Sequence, residues 1–137
     1  MTDSEQQIDW DALRAAARGA REQAYAPYSR FSVGAALLGE DGRIYLGANV
    51  ENASYPLSLC AERSAVAAAV TAGCRKFLAI AVWASGEGPT PPCGGCRQVL
   101  AEFAPALPVR SYSDDGEELV SDIGALLPRA FGPDDLA

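Results

Sequence analysis

Histidine is missing from all 137 residues, and that absence removes more candidate chemistry than any other feature of the chain. No Ser-His-Asp triad and no Cys-His pair can be assembled, and any zinc ion must be held by thiolates and carboxylates. The proton carriers that remain are Asp and Glu, with Lys, Tyr or Cys as outsiders. Positive charge is also scarce. Eleven Lys and Arg stand against 18 Asp and Glu, a net charge of -7, which repels phosphate backbones and argues against a nucleic-acid partner. A small, uncharged ligand fits better. Long apolar runs are lacking too: none approaches the roughly 18 to 20 residues of a membrane span, so no membrane partner is expected. The N-terminus is polar and acidic, with no charged-then-apolar leader, and a soluble, cytoplasmic protein is expected. The length suits one domain, 1–137, with enough chain to bury a core and no need of a linker.

Against these absences stand four cysteines and a dense polar stretch. Asn49-Val50-Glu51-Asn52-Ala53-Ser54-Tyr55-Pro56-Leu57-Ser58-Leu59-Cys60-Ala61-Glu62-Arg63 packs a thiol, two carboxylates, amides and a guanidinium ahead of an alanine-rich run. That run, Ala65 to Ala72, holds good helix formers and stops at Gly73, so Cys60 falls near a helix N-terminus, where free N–H groups favour a thiolate. Pro92-Cys93-Gly94-Gly95-Cys96-Arg97-Gln98 opens a second helix. Cys93 and Cys96, three apart at a helix start, form a common half of a tetrahedral zinc site. Cys60 supplies a third ligand, which leaves either a fourth protein ligand or an open position for water. Three thiolates around one zinc carry a net negative charge; the helix N-termini offset it, and Arg63 and Arg97 follow the ligands closely enough to donate hydrogen bonds to sulfur. Glu62 is then the carboxylate placed to move protons beside the metal.

The rest of the chain reads as scaffold. A helix starts at Asp9 as N-cap and carries Trp10, Leu13, Ala17, Ala20 and Ala24 near helical spacing, ending at Tyr25-Ala26-Pro27. Phe31 to Leu38 and Arg43 to Val50 read as a hairpin around Asp41-Gly42, with Ile44, Leu46 and Ala48 alternating in the second strand. Phe77 to Ala84 is a continuous apolar run, as expected of a strand covered on both faces, and marks the centre of a sheet. A helix over Cys93 to Phe103 follows, then strands over Leu107 to Ser113 and Glu117 to Val120, then a short helix over Ser121 to Leu127. The alternation predicts an α/β fold with helices packed on a sheet whose first two strands are antiparallel.

Taken together, Cys60-Ala61-Glu62 and Pro92-Cys93-Gly94-Gly95-Cys96-Arg97-Gln98 resemble the small cytidine deaminases of the pyrimidine salvage pathway. The likeness extends over Ala26-Pro27-Tyr28-Ser29, Phe31-Ser32-Val33-Gly34-Ala35-Ala36-Leu37, Asn49 to Pro56, Leu126-Leu127-Pro128 and Phe131 to Leu136. The resemblance implies a three-layer α-β-α sandwich with a mixed five-stranded sheet. It also implies one zinc per chain on Cys60, Cys93 and Cys96, with Glu62 as proton shuttle in the hydrolysis of cytidine and 2′-deoxycytidine to uridine, 2′-deoxyuridine and ammonia. Asn49 and Glu51 would hydrogen-bond the ribose, the backbone at Ala61 would read the base edge, and Phe31 would stack on the pyrimidine. Phe131 would reach into a neighbouring subunit of a homotetramer, with Tyr55 lining the shared pocket. Two positions depart from the usual pattern: Pro91-Pro92 stands where Ser-Pro is common, and Ala48 where a cysteine often precedes the asparagine.

Duller arrangements use the same residues. A dithiol redox pair at Cys93 and Cys96 leaves Cys60 and Glu62 without a role. A structural four-cysteine site needs Cys74, which sits at the far end of the Cys60 helix, about 20 Å away at about 1.5 Å per residue, and reads instead as a buried free thiol. Taken alone Glu62 is a first-turn helix glutamate, a reading that its place beside Cys60 reverses; the plainer alternatives for the others are turn residues at Asn49 and Glu51, core at Phe31, a surface aromatic at Phe131, and solvated guanidinium groups at Arg63 and Arg97. The nearest other enzyme is a relative acting on a different aminopyrimidine, such as a blasticidin S deaminase; Glu51 and the Phe131-Gly132-Pro133 tail favour the nucleoside.

Overall fold

The structure is a computed structural model that describes residues 8–136; the polar N-terminal stretch before Ile8, on which the absence of a leader was read, lies outside the described residues. The first helix, α1 (Trp10–Arg21), starts where expected, because the Asp9 carboxylate accepts a hydrogen bond from Ala12 N at 3.1 Å. Leu13, Ala17 and Ala20 form its buried stripe. It ends before Ala24, since the chain turns through Tyr25 toward Pro27.

Five strands form one sheet in the order β2-β1-β3-β4-β5: β1 (Val33–Gly39), β2 (Ile44–Ala48), β3 (Phe77–Ala84), β4 (Pro108–Ser113) and β5 (Glu118–Asp122). Only β3 and β4 run parallel; the other neighbours are antiparallel, so the sheet is mixed and β3 is its centre. The parallel pair needs a crossover, which α3 (Gly94–Phe103) supplies. Alternation along β1 sorts the layers. Ala36 faces α1 together with Leu13, Ala17, Ala81 and Trp83, whereas Ala35 and Leu37 face the other core with Ala65, Ala69, Val82 and Leu100. That second core lies under α2 (Ala61–Thr71), α3 and the short α4 (Ile123–Leu126), giving three layers, α-β-α. Among the described residues no helix is long and apolar enough to cross a membrane.

Two glycines let the helices lie flush on the sheet. A Cβ at Gly34 would sit 2.1 Å from Ala17 O, and one at Gly47 would sit 2.2 Å from Ala61 O. Gly47 therefore sets how closely the first turn of α2, and Cys60 ahead of it, approaches the strands. It also explains a departure in β2: Tyr45 and Gly47 face the core, while Ile44 and Leu46 of the apolar alternation are exposed. Both hairpin strands are also shorter than the patterns suggested. β1 begins at Val33 because Tyr28 to Phe31 form a folded loop with Arg30 at φ 59, and Val50 leaves the sheet to bridge Tyr25 and Leu59.

Candidate active site

Cys60 is the N-cap of α2 and Cys93 the N-cap of α3, both extended, with no side-chain capping hydrogen bond at either. Each sulfur thus stands in front of uncapped first-turn N–H groups, which favour negative charge. Cys96 lies one turn into α3, fully buried. The Sγ atoms are 3.8 Å apart for Cys60 and Cys93 and 3.3 Å apart for Cys93 and Cys96, and all three lie within 4.8 Å of one another. Tetrahedral zinc with Zn–S near 2.3 Å separates its sulfurs by about 3.8 Å, so this trio fits zinc both in donor type and in spacing. Cys74 does not join it. That thiol is buried elsewhere and donates to Lys76 O at 3.4 Å.

The charges around the trio divide unevenly. Hydrogen bonding from Cys96, then from Arg63 and Cys93, brings the Cys60 thiol down to about 5, and Arg63 Nη2 donates to its sulfur at 3.4 Å. The bond it shares with Cys60, together with burial, pushes the Cys96 thiol up. Three thiols this close cannot all ionise side by side, and a divalent cation removes that conflict. Arg63 thus meets a sulfur. Arg97 does not: Nε donates to Pro92 O at 2.6 Å and Nη1 to Leu126 O at 2.8 Å, so its guanidinium braces the turn before Cys93 against the end of α4 instead of reaching sulfur. The helix directs it that way, because the side chain following Cys96 leaves α3 away from the sulfur cluster.

Beside the sulfurs is a cavity of about 190 Å³ with mostly apolar walls. Glu62 lines it although the residue is buried, and burial, reinforced by the nearby Cys60 charge, pushes its carboxyl up to about 7. A buried carboxyl aimed into a hollow is costly for a residue whose only task is to start a helix. Phe31, Asn49 and Ala61 also line this space. Asn49 is fixed by its own amide, whose Oδ1 accepts from Val33 N at 2.9 Å and whose Nδ2 donates to Phe31 O at 2.8 Å.

The remaining three residues lie outside that lining. The Glu51 carboxylate accepts from Tyr28 N at 2.9 Å, Ser29 N at 3.1 Å and the Ser29 hydroxyl, and these bonds, the hydroxyl first, hold it below the usual carboxylate range. Tyr55 is exposed and meets Tyr28 edge-on, with centroids 6.4 Å apart. Phe131 is exposed as well, with its carbonyl accepting from Gln98 Nε2 at 2.6 Å. Five further wall residues have no role assigned from the sequence: Val33, Val82 and Ala84 from the ends of β1 and β3, and Thr90 and Pro91 from the loop before Cys93, of which Pro91 is one of the two departures from the family pattern. Their signal is positional, since they end central strands or immediately precede the paired cysteines.

Three comparisons bear on this geometry. Residues 8–109 match the family model described as the cytidine and deoxycytidylate deaminase zinc-binding region. The chain is similar to a cytidine deaminase of Sporosarcina psychrophila, 50% identical over 131 residues that make up 95% of this chain and 96% of the relative. Among solved structures it is similar to cytidine deaminases from Burkholderia pseudomallei (51% identity, TM-score 0.87, 90% of this chain and 100% of that one) and from Mycobacterium tuberculosis (44%, 0.81, 92% and 99%).

Proposed function

We propose residue roles and a substrate range from one premise: the chain belongs to the cytidine deaminase family, and its activity is the zinc-dependent hydrolytic deamination of cytidine. The observation that carries the reading is the convergence of three thiols, fit for one zinc, at the edge of a cavity lined by two of them, Cys60 and Cys93, and by the buried Glu62. Zinc held by Cys60, Cys93 and Cys96 supplies Lewis acidity that makes water nucleophilic near neutral pH.

The chain's own residues supply the rest. Glu62, with its carboxyl raised toward neutrality, takes a proton from the attacking water and passes it to the ring nitrogen next to the amino-bearing carbon. It then carries the second water proton to the amino group. The carbon–nitrogen bond breaks, a carbonyl forms, and ammonia leaves. Phe31 stacks on the pyrimidine, and the free backbone N–H at Ala61 reads the base edge at the start of α2. Asn49 and Glu51 hydrogen-bond the sugar, using capacity their internal bonds leave open, since each carboxylate or amide oxygen accepts more than one donor.

The substrates are cytidine and 2′-deoxycytidine and the products uridine and 2′-deoxyuridine, which places the enzyme in pyrimidine salvage. The whole chain forms one domain and assembles as a homotetramer. In support, Tyr28, Leu46, Tyr55, Leu57 and Phe131 are exposed on a single chain. In the assembly Phe131 and Tyr55 would reach the substrate in a pocket shared between copies. A reducing compartment such as the cytoplasm suits the thiols of the site. An ultraviolet absorbance assay with cytidine, deoxycytidine and cytosine in parallel tests the reading. Turnover of both nucleosides and little of the free base is expected; turnover of the base alone would overturn it.

A further inference from the structure

Phe31 and Glu51 lie on different segments, yet one hydroxyl touches both. Ser29 Oγ donates to Glu51 Oε2 and accepts from Phe31 N at 3.0 Å. The same carboxylate accepts the backbone N–H of Tyr28 and of Ser29, and Asn49 Nδ2 holds Phe31 O at 2.8 Å. Phe31 is thereby gripped at its N–H from one side and at its carbonyl from the other. The grip is needed because Arg30, between Ser29 and Phe31, sits at φ 59, a left-handed conformation uncommon for a residue with a side chain and persistent only when its surroundings hold it. The loop is exposed and lies outside the sheet, so buried packing does little to fix it.

We propose that Ser29 is a positioning residue whose hydroxyl couples the Glu51 carboxylate to the Phe31 backbone, so that the aromatic wall and the sugar-facing carboxylate are set as one unit. The proposal rests on the reading of Phe31 and Glu51 as substrate contacts. Ser29 itself lies outside the cavity lining and acts through the other two. Removing its hydroxyl leaves Phe31 N without its partner and frees one Glu51 oxygen, which loosens substrate binding while leaving the sulfur cluster and Glu62 in place.

Steady-state kinetics with cytidine on the zinc-loaded enzyme test this. Ser29→Ala is expected to raise KM about tenfold, the size of losing two modest hydrogen bonds, with kcat within about twofold and zinc content unchanged. Ser29→Thr, which keeps the hydroxyl, is expected to restore KM to within about threefold of the original. In a Glu51→Ala background, Ser29→Ala should add little, because residues acting as one unit are not additive. An unchanged KM in Ser29→Ala, alongside a raised KM in Glu51→Ala, would overturn the coupling alone. Unchanged KM in Glu51→Ala and in Phe31→Ala would overturn the reading of those two as substrate contacts, and the Ser29 proposal with it. A fall in kcat equal to the rise in KM would also overturn it, since that is the mark of a disturbed reaction centre.

Discussion

Cys96 and Glu62 leave 0% and 6% of their surface in solvent, whereas Tyr55 and Phe131 leave 72% and 57%, although all four carry roles in the same proposed site. The inner corner is built from two helix starts seated on the central strands, and its three thiols and its carboxyl come from one chain. The proposed outer rim consists of loops and a tail tied down by a few hydrogen bonds, such as that from Gln98 to the Phe131 carbonyl. On the proposed roles the contrast teaches a division of labour: the groups assigned to bond-making stand on rigid elements, while those assigned to enclosing the substrate are open on a single chain.

The comparison is sharpened most by Glu62→Gln. That variant should keep one zinc per chain and lose about 10²- to 10⁴-fold in kcat, as for removal of a general acid–base group. Near-normal turnover, read by absorbance, would take Glu62 out of the inner corner. Next in size is Gly47→Ala, whose added methyl meets the backbone of α2 with no flexible side chain to yield. A loss of about 1 to 3 kcal/mol in urea unfolding is expected, with lowered kcat because Cys60 and Glu62 shift together. Unaltered stability would mean that α2 is not seated as described.

At the rim, Phe131→Ala should raise KM several-fold or loosen the oligomer in sedimentation, with zinc content unchanged. If neither changes, the tail is not part of the pocket. The smallest effect concerns a carboxylate outside the cavity lining. Asp114 accepts from Trp83 Nε1 at 2.8 Å and Gly86 N at 3.0 Å and pairs with Arg21, and these bonds hold it down at about 2. A depressed folded-state value contributes stability that is full above the ordinary carboxylate range near 3.9 and is lost as pH falls through about 2. Asp114→Asn should therefore be less stable than the parent at pH 6, with the gap closing as the pH falls toward 2. A gap that stays constant across thermal melts from pH 6 to 2 would contradict this.

The same division governs what the sequence discloses. Cys60, Cys93 and Cys96 are legible because their chemistry and their helix-start spacing are local features, and β3 is legible because eight consecutive apolar residues are the length and character of a strand covered on both faces. The facing of β2 is not, since the close approach of α2 at Gly47 overrides the alternation of Ile44 and Leu46. Arg97 is misread for a related reason: adjacency to Cys96 says nothing of the carbonyl at Leu126, 29 residues away. The link from Ser29 to Glu51 spans 22 residues and depends on the backbone turn at Arg30, so no short motif announces it.

X-ray absorption at the zinc edge of the purified enzyme bears most directly on the inner corner. Three sulfur neighbours at about 2.3 Å and one lighter donor atom are expected. Four sulfurs, or fewer than three, would contradict the assignment of Cys60, Cys93 and Cys96 as the protein's complete share of the site.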